Sequence, residues 1–258
     1  MIALLAAAAV QLTYSFPIGE KRTYDVKVVF DGFIPLLGGQ QGKVEVNLGV
    51  QAEGVKSDAD PQVTSELKSI AVVFNGAPLN FVTVDSAKEY FPPTLISISP
   101  YGETLKTNAP DLQLPIKLPG LDIKRFPDIT YLPLELPKDG AEVGKSYTFQ
   151  KKFGDSDVRY TVTPVAIDDD GADVTLTLDQ KYTTLENEAI EVVADVKDAA
   201  ASVVTELRGT GKAHFSRKLG CFTVVSVQAN ANSVVTDLAT KAVTQRRLAT
   251  TLDIKLKR

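Results

Sequence analysis

The stretch "GTGKAHFSRKLGC", Gly209 to Cys221, holds the chain's single histidine, His214, and its single cysteine, Cys221. Imidazole and thiol are common general bases, nucleophiles and metal ligands. A zinc site needs further Cys, His or carboxylate ligands at ligand spacing, and none stands near His214. A Ser-His-Asp hydrolase would carry a nucleophile motif such as G-x-S-x-G, and the chain has none. Within a strand, His214 shares a face with Lys212 and Ser216, opposite Ala213 and Phe215. That makes it a solvated surface imidazole. Cys221 opens the apolar run "CFTVVSV", where a thiol acts as a small hydrophobe.

Other candidate clusters also read as structure. "IDDDGAD" offers Asp168, Asp169, Asp170 and Asp173. It lacks the alternate spacing and closing Glu of a calcium loop, while Asp-Gly between alternating runs signals a hairpin. "LLGGQQG" has phosphate-loop composition but no Lys-Ser/Thr, and a strand follows it. Arg246, Arg247, Lys255, Lys257 and Arg258 are spread along a strand and read as solvated. No catalytic residue, metal ligand or cofactor site is assigned, and the ligand-binding residues are left open. The expectation is a non-enzyme, with a hydrolase built on paired carboxylates as a second alternative.

The elements that would position such residues are strands. In "GKVEVNLGVQAEG" Val44, Val46, Leu48, Val50 and Ala52 share one face, opposite Lys43, Glu45, Asn47, Gln51 and Glu53. Val174, Leu176, Leu178 and Tyr182 alternate in the same way, as do Leu248, Thr250, Leu252, Ile254 and Leu256. Period-two alternation implies antiparallel strands with one packed and one wet face. Strands are expected near 21–33, 42–54, 64–75, 94–99, 145–152, 158–167 and 172–182. "DSAKEYF" predicts a short helix with Asp85 as N-cap. A longer helix is expected over 186–207, because Leu185, Ala189, Val192, Val196, Ala200, Val203 and Leu207 recur at helical spacing. Thr183 with Glu186 would cap it and Gly209 would end it.

Both halves thus read β-β-β-α-β-β. Each opens with Gly then Tyr, at Gly19 and Tyr24 and at Gly144 and Tyr147. "TLISISPYGETL" matches the opening stretch as a strand, a Ser, a short turn and a Gly, with Gly102 in the place of Gly220. This suggests a diverged internal repeat. The first copy lacks His and Cys, so a site common to both halves does not depend on them. The expected organisation is a signal peptide over 1–11, an N-terminal β lobe over 12–107, a Pro-rich crossover strap over 108–140 and a C-terminal lobe over 141–258. The strap is too apolar for a linker and reads either as a cover on the sheet or as a flap over a cavity.

Composition narrows the function classes. The chain has 258 residues, 44% hydrophobic, with a net charge of −4 and no Trp. It has no basic surplus for nucleic acid. "MIALLAAAAV" is too short to span a bilayer and fits a signal-peptide core, though no Lys or Arg precedes it. A buried N-terminal strand is the alternative. Export to the periplasm or outside the cell is the expectation, with no disulfide possible from one Cys.

The "GTGKAHFSRKLG" hairpin and the "VGKSYTF" strand entry resemble exported bacterial β-rich proteins of unassigned function. More distantly, the layout is similar to the curved half-barrel of outer-membrane lipoprotein carriers and related envelope lipid-binding proteins. That resemblance implies a helix-covered apolar sheet and a lipid ligand. The fold expected is mainly β, a strongly curved antiparallel sheet in two similar lobes, with the helix near 186–207 as cover. The expected function is non-enzymatic binding of a lipid or acyl chain in the cell envelope. The alternative is a scaffold with a filled core. A carrier calls for an apolar void of roughly a few hundred Å³.

Overall fold

The computed structural model describes residues 9–34, 39–57, 61–87, 91–108, 134–153 and 156–257. The alternating segments form long strands. These are β1 (Lys21–Ile34), β2 (Gln40–Lys56), β3 (Gln62–Phe74), β4 (Ala77–Pro78), β5 (Thr94–Ile98) and β6 (Thr104–Thr107). They continue as β7 (Tyr147–Phe153), β8 (Ser156–Ile167), β9 (Gly171–Glu186), β10 (Val192–Val193), β11 (Ala201–Ser216), β12 (Cys221–Asp237) and β13 (Val243–Leu256). Strands make up 67% of the structure and helix 3%, in one large antiparallel sheet that is not closed.

The order across the sheet is β6-β5-β3-β2-β1-β13-β12-β11-β9-β8-β7, with β4 paired to β3 and β10 to β9. The run β6-β5-β3-β2-β1 has the same order as β12-β11-β9-β8-β7, and β13 stands between them. Each half also begins with a matching turn. Glu20 N–H donates to Pro17 O and Lys145 N–H to Glu142 O, both at 3.1 Å. Gly19 and Gly144 take the left-handed position of these turns, at φ 77° and 80°. Each glycine then donates to the neighbouring strand, to Gly54 O and Pro164 O.

Alternation sends one set of side chains to a common apolar face. One row crosses six strands as Val174, Ala213, Val225, Ile254, Val26 and Leu48, all buried. Two extended segments lie among the buried residues. Residues 12–16 contribute Leu12, Tyr14 and Phe16, and residues 134–141 contribute Leu134, Leu136 and Ala141. Val10 and Ala141 bridge the two segments.

The helix expected over 186–207 does not form. Glu186 ends β9, a short 3-10 turn covers Val196–Asp198, and β11 begins at Ala201. β-Branched residues stiffen χ1 against a helix and suit a pleated surface. Val203, Thr205 and Leu207 also satisfy period two, and all three are buried. Gly209 terminates nothing. It is buried in mid-strand, where an added Cβ would stand 2.9 Å from Gln228 O. The short helix α1 (Val84–Ala87) does form, but Thr83 caps it rather than Asp85. Ser86 N–H donates to Thr83 Oγ1 at 3.2 Å, and Thr83 N–H donates to Ser86 Oγ at 2.9 Å. The expected signal core falls largely on residues 1–8, and most of the strap falls on 109–133. Both lie outside the described residues.

Candidate functional site

The β11–β12 hairpin places His214 and Cys221 on different surroundings. His214 is partly exposed, its Nδ1 2.7 Å from Asp173 Oδ1 on β9. Cys221 is fully buried. Burial pushes its thiol up, outweighing the pull of nearby Arg22, so the sulfur stays protonated and unreactive. Among the described residues, no three of His, Cys, Asp and Glu gather where they could hold a metal ion.

What the hairpin does is structural. Gly220, at φ 59°, and Gly102, at φ 86°, turn the β11–β12 and β5–β6 hairpins. Both turns receive the N-terminal segment. Tyr14 N–H donates to Pro100 O at 2.7 Å and Ser15 N–H to Gly220 O at 2.9 Å. Tyr14 sits edge-on to Phe215 at 5.6 Å, and Phe215 packs edge-on to Phe222 at 5.1 Å. The Tyr14 hydroxyl donates to Leu134 O at 2.8 Å. Arg22 is buried beneath the segment, donating to Ser15 O and Glu20 and lying 5.0 Å from the Phe16 ring. This end of the apolar face is sealed.

The opposite end differs in chemistry. Moving along the strands, the apolar rows give way to Tyr182, Thr205, Ser233 and Arg246, side by side on β9, β11, β12 and β13. Thr205 and Ser233 share a hydroxyl–hydroxyl bond of 2.8 Å. Arg246 reaches across β12 and β11 to Glu186, with Nη1 2.5 Å from Oε2. Three strand spacings of a flat sheet would be about 14 Å. The guanidinium lies 4.3 Å over the Phe33 ring. Side-chain exposure is 18% for Arg246 and 9% for Glu186, so the pair is largely desolvated. Burial also pushes the Tyr182 hydroxyl up to about 12.

A cavity of about 40 Å³ opens here, lined by Arg246, Glu186, Phe33, Ile190, Val203 and Ala231 among others. Ile190 stands at φ 66° in the turn after β9, a left-handed position that is unfavourable for a β-branched residue. A larger opening, about 430 Å³, lies against Asp25, Lys27, Asn47, Ser69, Asp253 and Lys255. Val26, Leu48, Ile70 and Ala71 share its wall with these charged and polar groups. Neither opening is a closed apolar void of several hundred Å³.

Expected as a solvated basic residue and as a helix-capping residue, Arg246 and Glu186 instead pair with each other. The signal for Arg246 was present. Counting back by twos from Leu256 through Leu248 puts it on the apolar face. Nothing in the sequence marks its partner, because the pairing spans 60 residues and two intervening strands.

No family model matches the chain, and no curated protein does either. Among solved structures it is similar to lipovitellin, in a structure described for its lipid–protein interactions, with a TM-score of 0.55 and 10% identity. The likeness covers 94% of this chain and 25% of that one, so the chain spans a quarter of lipovitellin. The similarity is one of fold. An outer membrane channel from Pseudomonas putida F1 aligns at 9% identity over 95% of this chain and 98% of that one. Its TM-score is 0.16.

Proposed function

We propose that this is an exported cell-envelope protein that binds a hydrophobic ligand, a lipid or acyl chain, without catalysis. The observation that carries the reading is the apolar face of an open sheet, overlaid among the described residues by extended segments. Extended segments are held by a few hydrogen bonds and can yield without unfolding the sheet. The lipovitellin-like fold supports the same reading, since that protein's structure was described for its interactions with lipid. The cavity of about 40 Å³ is far below the roughly 300–1,000 Å³ of common ligand pockets. A bound chain therefore has to widen this opening and part the cover from the sheet at the Arg246 end. On this reading the first residues act as the export signal, and the two halves are diverged copies of one unit.

Native mass spectrometry of protein purified from its host tests the proposal. Co-purifying lipid, released on denaturation, is the expected result. No lipid, together with no response of an apolar fluorescent probe, overturns it. One observation favours a second reading, a scaffold with a filled core. Leu12, Tyr14, Phe16, Leu134 and Leu136 already occupy the apolar face and are each at most 8% exposed. The scaffold predicts the negative outcome of the same experiment.

A further inference from the structure

The Arg246–Glu186 pair is an unusual closure for an apolar face. A largely buried ion pair gives up much of its Coulomb energy to desolvation, and hydrophobic replacements often serve stability as well. Glu186 takes one of the five N–H donors of Arg246, and no other acceptor among the described residues bonds to it. The guanidinium carbon lies 4.3 Å over the Phe33 ring, and Arg246 lines a cavity of about 40 Å³. At about 10–15 Å³ for each water, that space holds roughly three waters, the bulk of one carboxylate group. Apolar groups of Phe33, Ile190, Val203, Ala231 and Leu248 share the wall with the polar groups of Tyr182, Thr184, Thr205, Ser233 and Arg247.

A second, independent observation falls on the same wall. Glu186 is followed by the turn Asn187–Ile190, closed by bonds from Ile190 N–H to Asn187 O and from Asn187 N–H to Glu191 O. Ile190 holds φ 66° there. It packs so closely that a Cβ on Gly39 would stand 2.5 Å from its Cδ1. Such a conformation is strained and persists where packing over-determines it, often at sites that move.

We propose that Arg246 is the anchor for the acid head of a long-chain carboxylic acid, and that Glu186 stands in for that head in the empty protein. This rests on the apolar-ligand reading and adds its class: an anionic amphiphile rather than a neutral or zwitterionic one. The exchange conserves charge in the pocket. The ligand carboxylate replaces the Glu186 carboxylate on the guanidinium, Glu186 swings to water with its turn, and Arg246 is never left unpaired. A neutral ligand has nothing to exchange. Release of the strained Ile190 turn accompanies entry, while the tail follows the apolar row Leu248, Ala231 and Leu207 beyond the anchor.

The test is titration of the full chain with dodecanoate and with dodecan-1-ol, read by calorimetry and by displacement of an apolar fluorescent probe. Dodecanoate is expected to bind more tightly than the alcohol. Arg246→Gln should weaken dodecanoate about tenfold or more, the loss of a charge-assisted bond, and leave the alcohol unchanged. Glu186→Gln should tighten dodecanoate, because the competing carboxylate is gone. A merely structural pair would instead weaken both ligands in both variants. The double variant Glu186→Gln with Arg246→Met leaves no lone charge and guards against a folding defect. It should bind the alcohol as the parent does and dodecanoate poorly. Equal binding of both ligands by the parent and Arg246→Gln overturns the anchor and leaves the apolar-ligand reading standing. Binding of neither ligand by the parent overturns both.

Discussion

The two ends of the apolar face are closed by different physics. At the hairpin end, aromatic rings interlock and backbone bonds tie residues 12–16 to the Gly102 and Gly220 turns. Those interactions have no competitor in a ligand, and breaking them exposes rings to water. At the other end a polar row and one ion pair close the sheet. An ion pair is exchangeable, because any carboxylate of the right reach can replace Glu186. The contrast separates a part of the molecule built to stay shut from one that can open at little cost.

The sharpest way to break this contrast is at the sealed end. Tyr14→Ala removes a buried ring and its hydroxyl, and a loss of about 3–5 kcal/mol is expected in urea unfolding. A loss below 1 kcal/mol would mean that the segment seals nothing. Next is the ion pair. Arg246→Ala should cost about 3 kcal/mol by leaving Glu186 largely buried and alone, whereas Glu186→Leu with Arg246→Met should come close to the parent. A double variant as unstable as the single one would show the pair to be structural cement, like the rings opposite.

Gly220→Ala is a subtler probe. Its Cβ would stand 2.8 Å from Ser15 N and 2.6 Å from Ser15 Cβ, at a φ of 59°. About 2 kcal/mol is expected, with new protease cleavage near residues 9–16. Gly76→Ala, at φ 85° with nothing within 4 Å, should cost only about 1 kcal/mol and leave that segment protected.

Alkaline titration gives the smallest and most graded signal. Burial raises the hydroxyls of Tyr14 and Tyr24 far above 10, and that of Tyr182 to about 12. Unfolded tyrosines ionise near 10 while the folded ones keep their protons. Stability is therefore intact below pH 10 and falls as pH rises through 10 toward the folded values. Tyrosinate absorbance should show Tyr182 ionising near pH 12 in native protein, and Tyr14 and Tyr24 only as it unfolds. Tyr182→Phe should delete the native step near pH 12.

Much of the fold is legible because alternation is a local signal. β1, β2, β3, β5, β8 and β9 start within about three residues of where periodicity puts them, since one wet face and one dry face leave no other register. The helix expected over 186–207 is absent because Val203 and Leu207 satisfy helical and strand spacing at once. Only the burial of Thr205 between them decides the matter. The covering segment was hidden differently. Leu12, Tyr14 and Phe16 alternate with exposed Gln11, Thr13 and Ser15, but they directly follow an apolar run that reads as a signal. The open end was partly legible: Arg246 falls in phase with the apolar residues of β13. Its closure was not, because contact across two strands depends on sheet shape, which no short window of sequence encodes.

The position of β13 carries a consequence for when the protein can fold. It is the last of the described strands, yet it lies mid-sheet, pairing Ile254 with Val26 of β1 on one side and with Val225 of β12 on the other. While a ribosome is still making the chain, β1 has an open edge and the two halves have no common strand. The sheet can be joined only after Leu256 emerges, and so distant a pairing is intrinsically slow.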